Sequence, residues 1–170
     1  MTLGKQSRKL RLISRLLIFS ALILIISFLP VQAAPHQQAF DCSVRGTVEA
    51  EAECNALLAI YTDTGGAFWT VPTDQTTDPC TWAGVTCGGE SVTDLDLSTN
   101  NLDGSLPNGI GDLINLVTLD LSANPLLTGA LPASMTNLTA LTTFDFSGTD
   151  LCEPQDGAFQ TWITGGGLTV

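Results

Sequence analysis

The 170-residue chain carries seventeen acidic and six basic side chains, a formal net charge of −11, and its length suggests one domain. Five of the six basic residues lie in the first fifteen positions, so residues 34–170 keep only Arg45 and carry sixteen net negative charges. Such an acidic surface repels phosphate backbones and anionic lipid headgroups. This excludes nucleic acid as a natural partner and argues against membrane binding once the basic head is removed.

The N-terminal 33 residues have the order of a secretory signal peptide. The basic head precedes an uncharged, mainly apolar run at residues 16–29, and Val31-Gln32-Ala33 supplies the cleavage motif. The run is shorter than the roughly 20 residues of a membrane span. We therefore expect cleavage after Ala33 and a secreted, extracellular chain. The alternative is a chain tethered to the membrane by an uncleaved N-terminal anchor.

Five cysteines follow this segment, and export permits disulfides. Cys80 and Cys87 flank a short Trp-Ala-Gly-Val turn and are the first predicted pair. Cys42 and Cys54 are a second candidate pair, although spacing does not fix connectivity. Cys152 is then left over. Burial is the default expectation because a free cysteine behaves as a small apolar residue, and a disulfide-linked dimer is the alternative.

An internal repeat dominates the rest of the chain. The order of Leu, Asn, Gly and Pro positions in residues 92–115 returns at 116–140, and it begins a third time at residue 141. The second copy is one residue longer. The extra residue falls in Pro125-Leu126-Leu127, a loop position where either leucine can take the repeated slot. Three phased copies predict stacked coils, since no single coil covers its own apolar face.

Each repeated slot has a physical role. Asn100 and Asn124 stand where the chain leaves a strand and can satisfy backbone groups of neighbouring coils. Gly-x-Leu-Pro segments then turn the chain across the outer face. The alternating strand positions that should enter the core are Leu95, Leu97, Leu119, Leu121, Phe144 and Phe146. The return segments should be buried by Ile110, Leu113, Met135 and Leu138.

This pattern resembles the leucine-rich-repeat superfamily, in the class with L-x-x-L-x-L-x-x-N-x-L-x-G-x-[IL]-P found in plant receptors, secreted inhibitors and exported bacterial proteins. Upstream, residues 53–61, Trp69 and residues 78–87 resemble the N-terminal cap of that class, although many relatives have two adjacent cysteines where this chain has Cys80 alone. The resemblance covers residues 50–163. It implies an α/β repeat solenoid, a short right-handed coil with parallel strands on the concave face, a helical and disulfide-closed N-terminal cap, and a helical C-terminal cap.

The third copy reads as a terminating coil, because Thr149 replaces the asparagine and no Gly-x-x-Pro turn follows. Phe159, Trp162 and Ile163 are predicted to face inward from a capping helix. The expected organisation is a signal peptide (1–33), a flexible segment (34–49), the cap (50–91), repeats at 92–115 and 116–140, a partial repeat (141–154), and a capping helix with a frayed tail (155–170).

Catalytic chemistry is not indicated. The single histidine, His36, adjoins the cleavage site, so no Ser-His-Asp or Cys-His arrangement can form. No spacing fits zinc, no phosphate-binding loop follows a strand, and no cofactor is implied. Residues 94–104 imitate a calcium loop but lack its central glycine. We expect a non-enzymatic protein without a metal site.

The outward positions of the strands form the candidate binding surface, here called the concave strip. Alternation assigns to it Asp94, Asp96, Ser98, Thr118, Asp120, Ser122, Thr143, Asp145 and Ser147. Asp96, Asp120 and Asp145 should stack about 4.8 Å apart in a parallel sheet. In the family this face is the usual ligand surface. One interpretation is a site for a cationic peptide, a protein, a carbohydrate or a divalent ion.

The other interpretation is that these aspartates belong to the repeat, hydrogen-bond locally and bind nothing. It is favoured because the strip lacks the aromatic and arginine anchors that dominate binding energy.

The leading functional prediction is a secreted or cell-surface protein-interaction module. The alternatives are an inhibitor of a secreted hydrolase and a structural relic of a larger receptor or adhesin. The short array argues against a large ligand in every case.

Overall fold

The computed structural model describes residues 39–71, 73–165 and 169. The predicted signal peptide, its cleavage site and His36 lie outside these residues. The described elements are two α-helices and seven strands: α1 Val48–Asp63, β1 Val85–Gly88, β2 Ser91–Asp96, β3 Asp103–Gly104, β4 Thr118–Asp120, β5 Leu126–Ala130, β6 Thr143–Asp145, β7 Asp150–Cys152 and α2 Gly157–Gly165. Neither described helix is long and apolar enough to cross a membrane.

Helix α1 begins where its sequence supplies a cap. The Thr47 hydroxyl accepts a hydrogen bond from the Ala50 N–H (3.1 Å), and two glutamates occupy the first turn, where the helix dipole favours negative charge. The helix ends at Asp63, with Thr64 as its C-cap and Gly65 following at φ 69°. Ala50, Cys54, Leu57 and Ile60, spaced three to four residues apart, bury one face.

Ordered structure begins earlier than the predicted boundary at residue 50. Within the stretch expected to be flexible, Cys42–Val44 form a 3-10 helix and α1 already starts at Val48. The reason is covalent and local: Cys42 is bonded to Cys54 of α1, and the Asp41 side chain caps the 3-10 turn. The disulfide thus fixes the segment that precedes the helix.

The first sheet has the order β1-β2-β4-β6. β1 pairs antiparallel with β2, whereas β2, β4 and β6 are parallel. Leu95, Leu119 and Phe144 share one register column and are fully buried. The parallel strands predicted for the repeats are therefore present, and the cap adds an antiparallel strand that the repeat pattern does not indicate.

A second sheet, β3-β5-β7, is entirely parallel and was not predicted from the sequence. It forms where the chain turns after the ladder slot, which is filled by Asn100, Asn124 and Thr149. Gly104 (φ 120°) lies so close to the carbonyl of Asp63 that a Cβ atom would overlap it. Gly104 is thus required by a close backbone approach, whereas Gly129, in the same slot of the next coil, has no such contact.

The coils return through 3-10 helices at Asn108–Asp112 and Ala133–Asn137, each entered from a proline. They bury Ile110, Leu113, Met135 and Leu138 completely, as the repeat predicts. Helix α1 packs against the first return segment. The cap therefore continues the stack of coils on their outer side.

Helix α2 closes the other end of the stack. The Asp156 carboxylate accepts from the Phe159 N–H (2.8 Å) and caps the helix. Phe159 and Ile163 are buried and Trp162 packs beside them, as expected from the sequence. Phe146, which was expected in the core, is only half-buried and stacks on Phe144 with ring centroids 4.9 Å apart, because α2 and not a further coil covers this end of the stack.

The end of the chain contradicts the expectation of a frayed tail at one residue. Thr169 makes a parallel bridge with Thr143, donating its N–H to Thr142 O (2.9 Å) and accepting from Phe144 N (2.9 Å). Gly166 and Gly167 lie outside the described residues.

Candidate functional site

The strand register assembles the predicted concave strip. Asp96, Asp120 and Asp145 are direct partners on β2, β4 and β6, which is the predicted column. Beside it, Asp94, Thr118 and Thr143 form a second column. The remaining strip residues, Ser98, Ser122 and Ser147, follow the strand ends, and all nine side chains are exposed or half-buried.

The aspartates of the first column also have a local role. Each uses Oδ1 to accept the backbone N–H two residues ahead, from Ser98 (3.1 Å), Ser122 (2.9 Å) and Ser147 (2.8 Å). These contacts turn the backbone at the end of each strand. Local hydrogen bonding is what the second interpretation of the strip predicts. It engages one oxygen of each carboxylate, and no hydrogen bond from the described residues reaches Oδ2 of these three aspartates.

The pKa of Asp145 shows the electrostatic effect of this turn. Hydrogen bonds from the Ser147 backbone and then from its side chain lower the pKa of Asp145, and slight burial opposes them. Asp145 therefore remains a carboxylate throughout the neutral and mildly acidic range.

Asn124 links the backbones of the two coils that carry the strip. Its amide is fully buried. Its Oδ1 accepts from Asn100 N (2.9 Å) and Leu102 N (3.0 Å), and its Nδ2 donates to Leu97 O (2.9 Å) and Leu121 O (2.8 Å). One side chain thus satisfies backbone groups of two coils, which is the role predicted for the ladder asparagine.

Asn100 occupies the same slot one coil earlier but faces the cap. Its Oδ1 accepts from Val71 N (2.7 Å) and from the Thr70 hydroxyl (3.0 Å). Its buried Nδ2 has no hydrogen-bond partner in the part of the chain that the structure describes. The cap therefore supplies hydrogen-bond donors for Oδ1 of Asn100 but no acceptor for its Nδ2, whereas a preceding coil supplies both for Asn124.

Glu53 links the cap to the first coil and was missed by the sequence reasoning. It is 1% exposed, and its carboxylate accepts from Val92 N (2.7 Å) and Asn115 Nδ2 (3.1 Å). A sequence signal for it exists. Glu53 stands on the apolar face of α1, between Ala50 and Leu57, where a surface glutamate is not expected.

The cap disulfides join the pairs expected from the sequence, Cys42 with Cys54 and Cys80 with Cys87. Arg45 connects the two halves of the cap. Its guanidinium pairs with Asp78 and donates to Glu90 O (2.5 Å), and the side chain is only 7% exposed. The one basic residue of the acidic region is thus committed to the cap.

Cys152 contradicts the expectation of burial. It is a free cysteine on the exposed surface of β7, the terminal strand of the second sheet. Its register partner on β5, Ala130, is exposed as well, so this position of the coil lies outside the core. Among the described residues, no group of three His, Cys, Asp or Glu side chains could hold a metal ion.

Comparison with known proteins identifies the repeat. A family model described as Leucine Rich Repeat matches residues 91–113 and 115–138, within one or two residues of the first two predicted coils. The leucine-rich repeat protein FLOR 1 of Arabidopsis thaliana is 38% identical over 102 residues, which are 59% of this chain and 31% of that protein. The LRR receptor-like serine/threonine-protein kinase GSO2 of the same plant is 44% identical over 61 residues, 36% of this chain and 5% of the kinase.

Solved structures agree on the architecture. The crystal structure of a plant ice-binding protein superposes with a TM-score of 0.57 and 27% identity, covering 69% of this chain and 38% of that one. The resemblance and the solenoid fold inferred from the sequence are thereby confirmed. The chain spans less than a third of either plant relative, so the activities of those proteins are not transferred to it.

Proposed function

We propose that this leucine-rich-repeat solenoid is a secreted or cell-surface, non-catalytic module that binds a protein or peptide ligand through its concave strip. The observation that carries the proposal is the continuous strip itself. Three parallel strands bury their apolar side chains and leave columns of carboxylates and hydroxyls facing outward in register. Because the strands are held in a regular sheet, the polar groups on its outward face have fixed positions and can serve as a rigid recognition surface.

The charge of the strip favours a cationic ligand. The Oδ2 atoms of Asp96, Asp120 and Asp145 are left for an external donor, and Arg45 is held in the cap. Neighbouring strands are about 4.8 Å apart, so the column spans roughly 10 Å. This length suits one or two lysine or arginine side chains of a partner.

The relatives support an extracellular ligand-binding role in general terms, because one is named as receptor-like. Two disulfides in the cap fit export to an oxidising environment. Inhibition of a secreted hydrolase and a structural relic remain the alternatives, distinguished by what the protein retains from extracellular material. In a pull-down from such material, a retained hydrolase would support the inhibitor, and no retained protein would support the structural relic.

The direct test is calorimetric titration of the full chain with tetralysine. Asp96→Asn/Asp120→Asn/Asp145→Asn keeps the local turn, since an asparagine Oδ1 also accepts the N–H two residues ahead. We expect this variant to lose about tenfold in affinity, because it removes three adjacent charges.

The matched control is Asp112→Asn/Asp150→Asn/Asp156→Asn, which removes three exposed charges outside the strip. It should bind nearly as well as the parent chain. Equal losses in both variants would show that tetralysine senses net charge alone and would refute the strip as a site.

A further inference from the structure

Leu126 is an inserted leucine that the core does not use. The extra residue of the second coil leaves Leu126 or Leu127 for the slot that Leu102 occupies in the first coil. The structure assigns the slot to Leu127, which is fully buried like Leu102, whereas Leu126 is 58% exposed. Its exposure therefore follows from the insertion and not from the repeat.

Phe68 is a second large apolar side chain that faces solvent. It ends the 3-10 helix Gly66–Phe68 and is 79% exposed, the most among the large apolar residues of the described chain. The next residue, Trp69, turns inward and donates its indole N–H to Thr64 O (3.1 Å). The cap thus buries one aromatic ring and leaves its neighbour outside.

Both side chains flank Asp103. Leu126 is the register partner of Asp103 on the adjacent strand. On the other side, a Cβ atom built at Gly65 would lie 3.6 Å from Asp103 Cβ and 4.0 Å from the Phe68 ring. Phe68, Asp103 and Leu126 therefore follow one another along the side of the solenoid where the coils leave the concave strands.

Negative charge accompanies this apolar pair. Asp63 and Asp103 are exposed, and the carbonyl of Asp63 borders Gly104, the residue after Asp103. Residues 46–170 contain no lysine or arginine that could neutralise them. Two exposed apolar side chains on either side of an acidic residue therefore offer complementary contacts to a segment that is both basic and apolar.

We propose that Phe68, Leu126, Asp63 and Asp103 form a second docking site, the edge surface, separate from the concave strip. Its occupant is a basic polypeptide segment that places an apolar side chain against Phe68 and Leu126 and its lysine or arginine groups near the two aspartates. A second copy of this chain is a poor occupant, because it would bring the same aspartates and no free cation from residues 46–170.

The experiment uses three labelled pentapeptides with fluorescence anisotropy. The probe is Lys-Phe-Lys-Leu-Lys, and its controls are Lys-Ser-Lys-Ser-Lys and Glu-Phe-Glu-Leu-Glu. The parent chain should bind the probe about tenfold more tightly than either control, since both apolar burial and opposite charge are needed.

Variants locate the contact. Phe68→Ser/Leu126→Ser should reduce probe affinity to that of the serine peptide, and Asp63→Asn/Asp103→Asn should weaken it to a similar extent. The matched control Val44→Ser/Ile114→Ser removes two other exposed apolar side chains and should leave affinity within about twofold. If Phe68→Ser impairs folding, Leu126→Ser alone carries the test. Leu126 lies outside the core, so shortening its side chain creates no cavity there.

The outcomes separate the edge surface from the concave strip. The edge surface is refuted if probe binding survives in Phe68→Ser/Leu126→Ser. It is also refuted if binding is lost only in Asp96→Asn/Asp120→Asn/Asp145→Asn. Neither outcome contradicts the proposed function of the concave strip. Sedimentation provides a further check. A dimer of the parent chain that Leu126→Ser dissociates would show that a second copy is the occupant and would also overturn the proposal.

Discussion

The cap and the coils are held together by different means. Residues 39–90 are held by two disulfides, a buried arginine and several side-chain contacts to the backbone. Residues 91–152 contain no disulfide and align through strand register and repeated apolar columns. A repeated coil offers its neighbour a matching surface, whereas the cap has no copy of itself to pack against and relies on specific links.

The two ladder asparagines show this difference in a single slot. Asn124 lies between two coils and bonds to both, while Asn100 meets the irregular backbone of the cap and leaves Nδ2 unpaired within the described chain. An asparagine in this slot thus pairs all of its polar atoms where repeat coils lie on both sides, and only some of them where the cap lies on one side.

The largest expected effect follows from this pair. Asn124→Ala orphans several buried backbone groups at once and should lower the free energy of unfolding by about 4 kcal/mol. Asn100→Ala loses fewer partners and should cost about 2 kcal/mol. Urea denaturation of both variants measures the difference, and equal losses would contradict the distinction between coil and cap.

The disulfides should matter next. Cys42→Ser/Cys54→Ser opens a link of sequence separation 12 in the cap and should cost about 3 kcal/mol. Amide hydrogen exchange should show the loss of protection first in residues 42–63. Unchanged exchange in this segment would mean that the coils, and not the disulfide, order the cap. Cys152→Ser is the matched control, because that thiol is unpaired and exposed.

The smallest effect concerns a feature that both regions share. Asp41 and Asp74 in the cap and Asp145 in the coils have lowered pKa values, through hydrogen bonds from Ser43, Thr76 and Ser147 respectively. A lowered folded-state pKa stabilises the protein fully above about pH 4 and ceases to do so as the pH falls through that pKa.

The parent chain should therefore lose stability on acidification in that window, and Asp145→Asn should make the loss slightly shallower. Melting temperatures between pH 2 and 6 provide the measurement. A curve that Asp145→Asn leaves unchanged would show that the turn does not couple proton binding to folding.

The sequence was informative wherever its signal was periodic. Two phased coils and a third incomplete one predicted the parallel strands, the aspartate column and the buried return segments. Local chemistry also predicted the capping helix, from the spacing of Phe159, Trp162 and Ile163. These features depend on neighbours that are fixed by the repeat itself.

Features that depend on irregular neighbours were not predictable in the same way. Glu53 looks like one acidic residue among many until α1 is packed against the first coil, where it accepts from Val92 and Asn115. The burial expected for Cys152 was wrong, because this position of the coil faces outward: its register partner on β5, Ala130, is exposed as well.

The amino-acid sequence alone determined the solenoid, the register of its strands and its acidic character, since periodic apolar burial and charge count are properties of the chain itself. Tertiary structure decided which of Leu126 and Leu127 is buried, how the cap closes the first coil and that Gly65 of the cap lies beside Asp103. Those outcomes arise from contacts between segments that share no repeat, and such contacts exist only once the chain is folded.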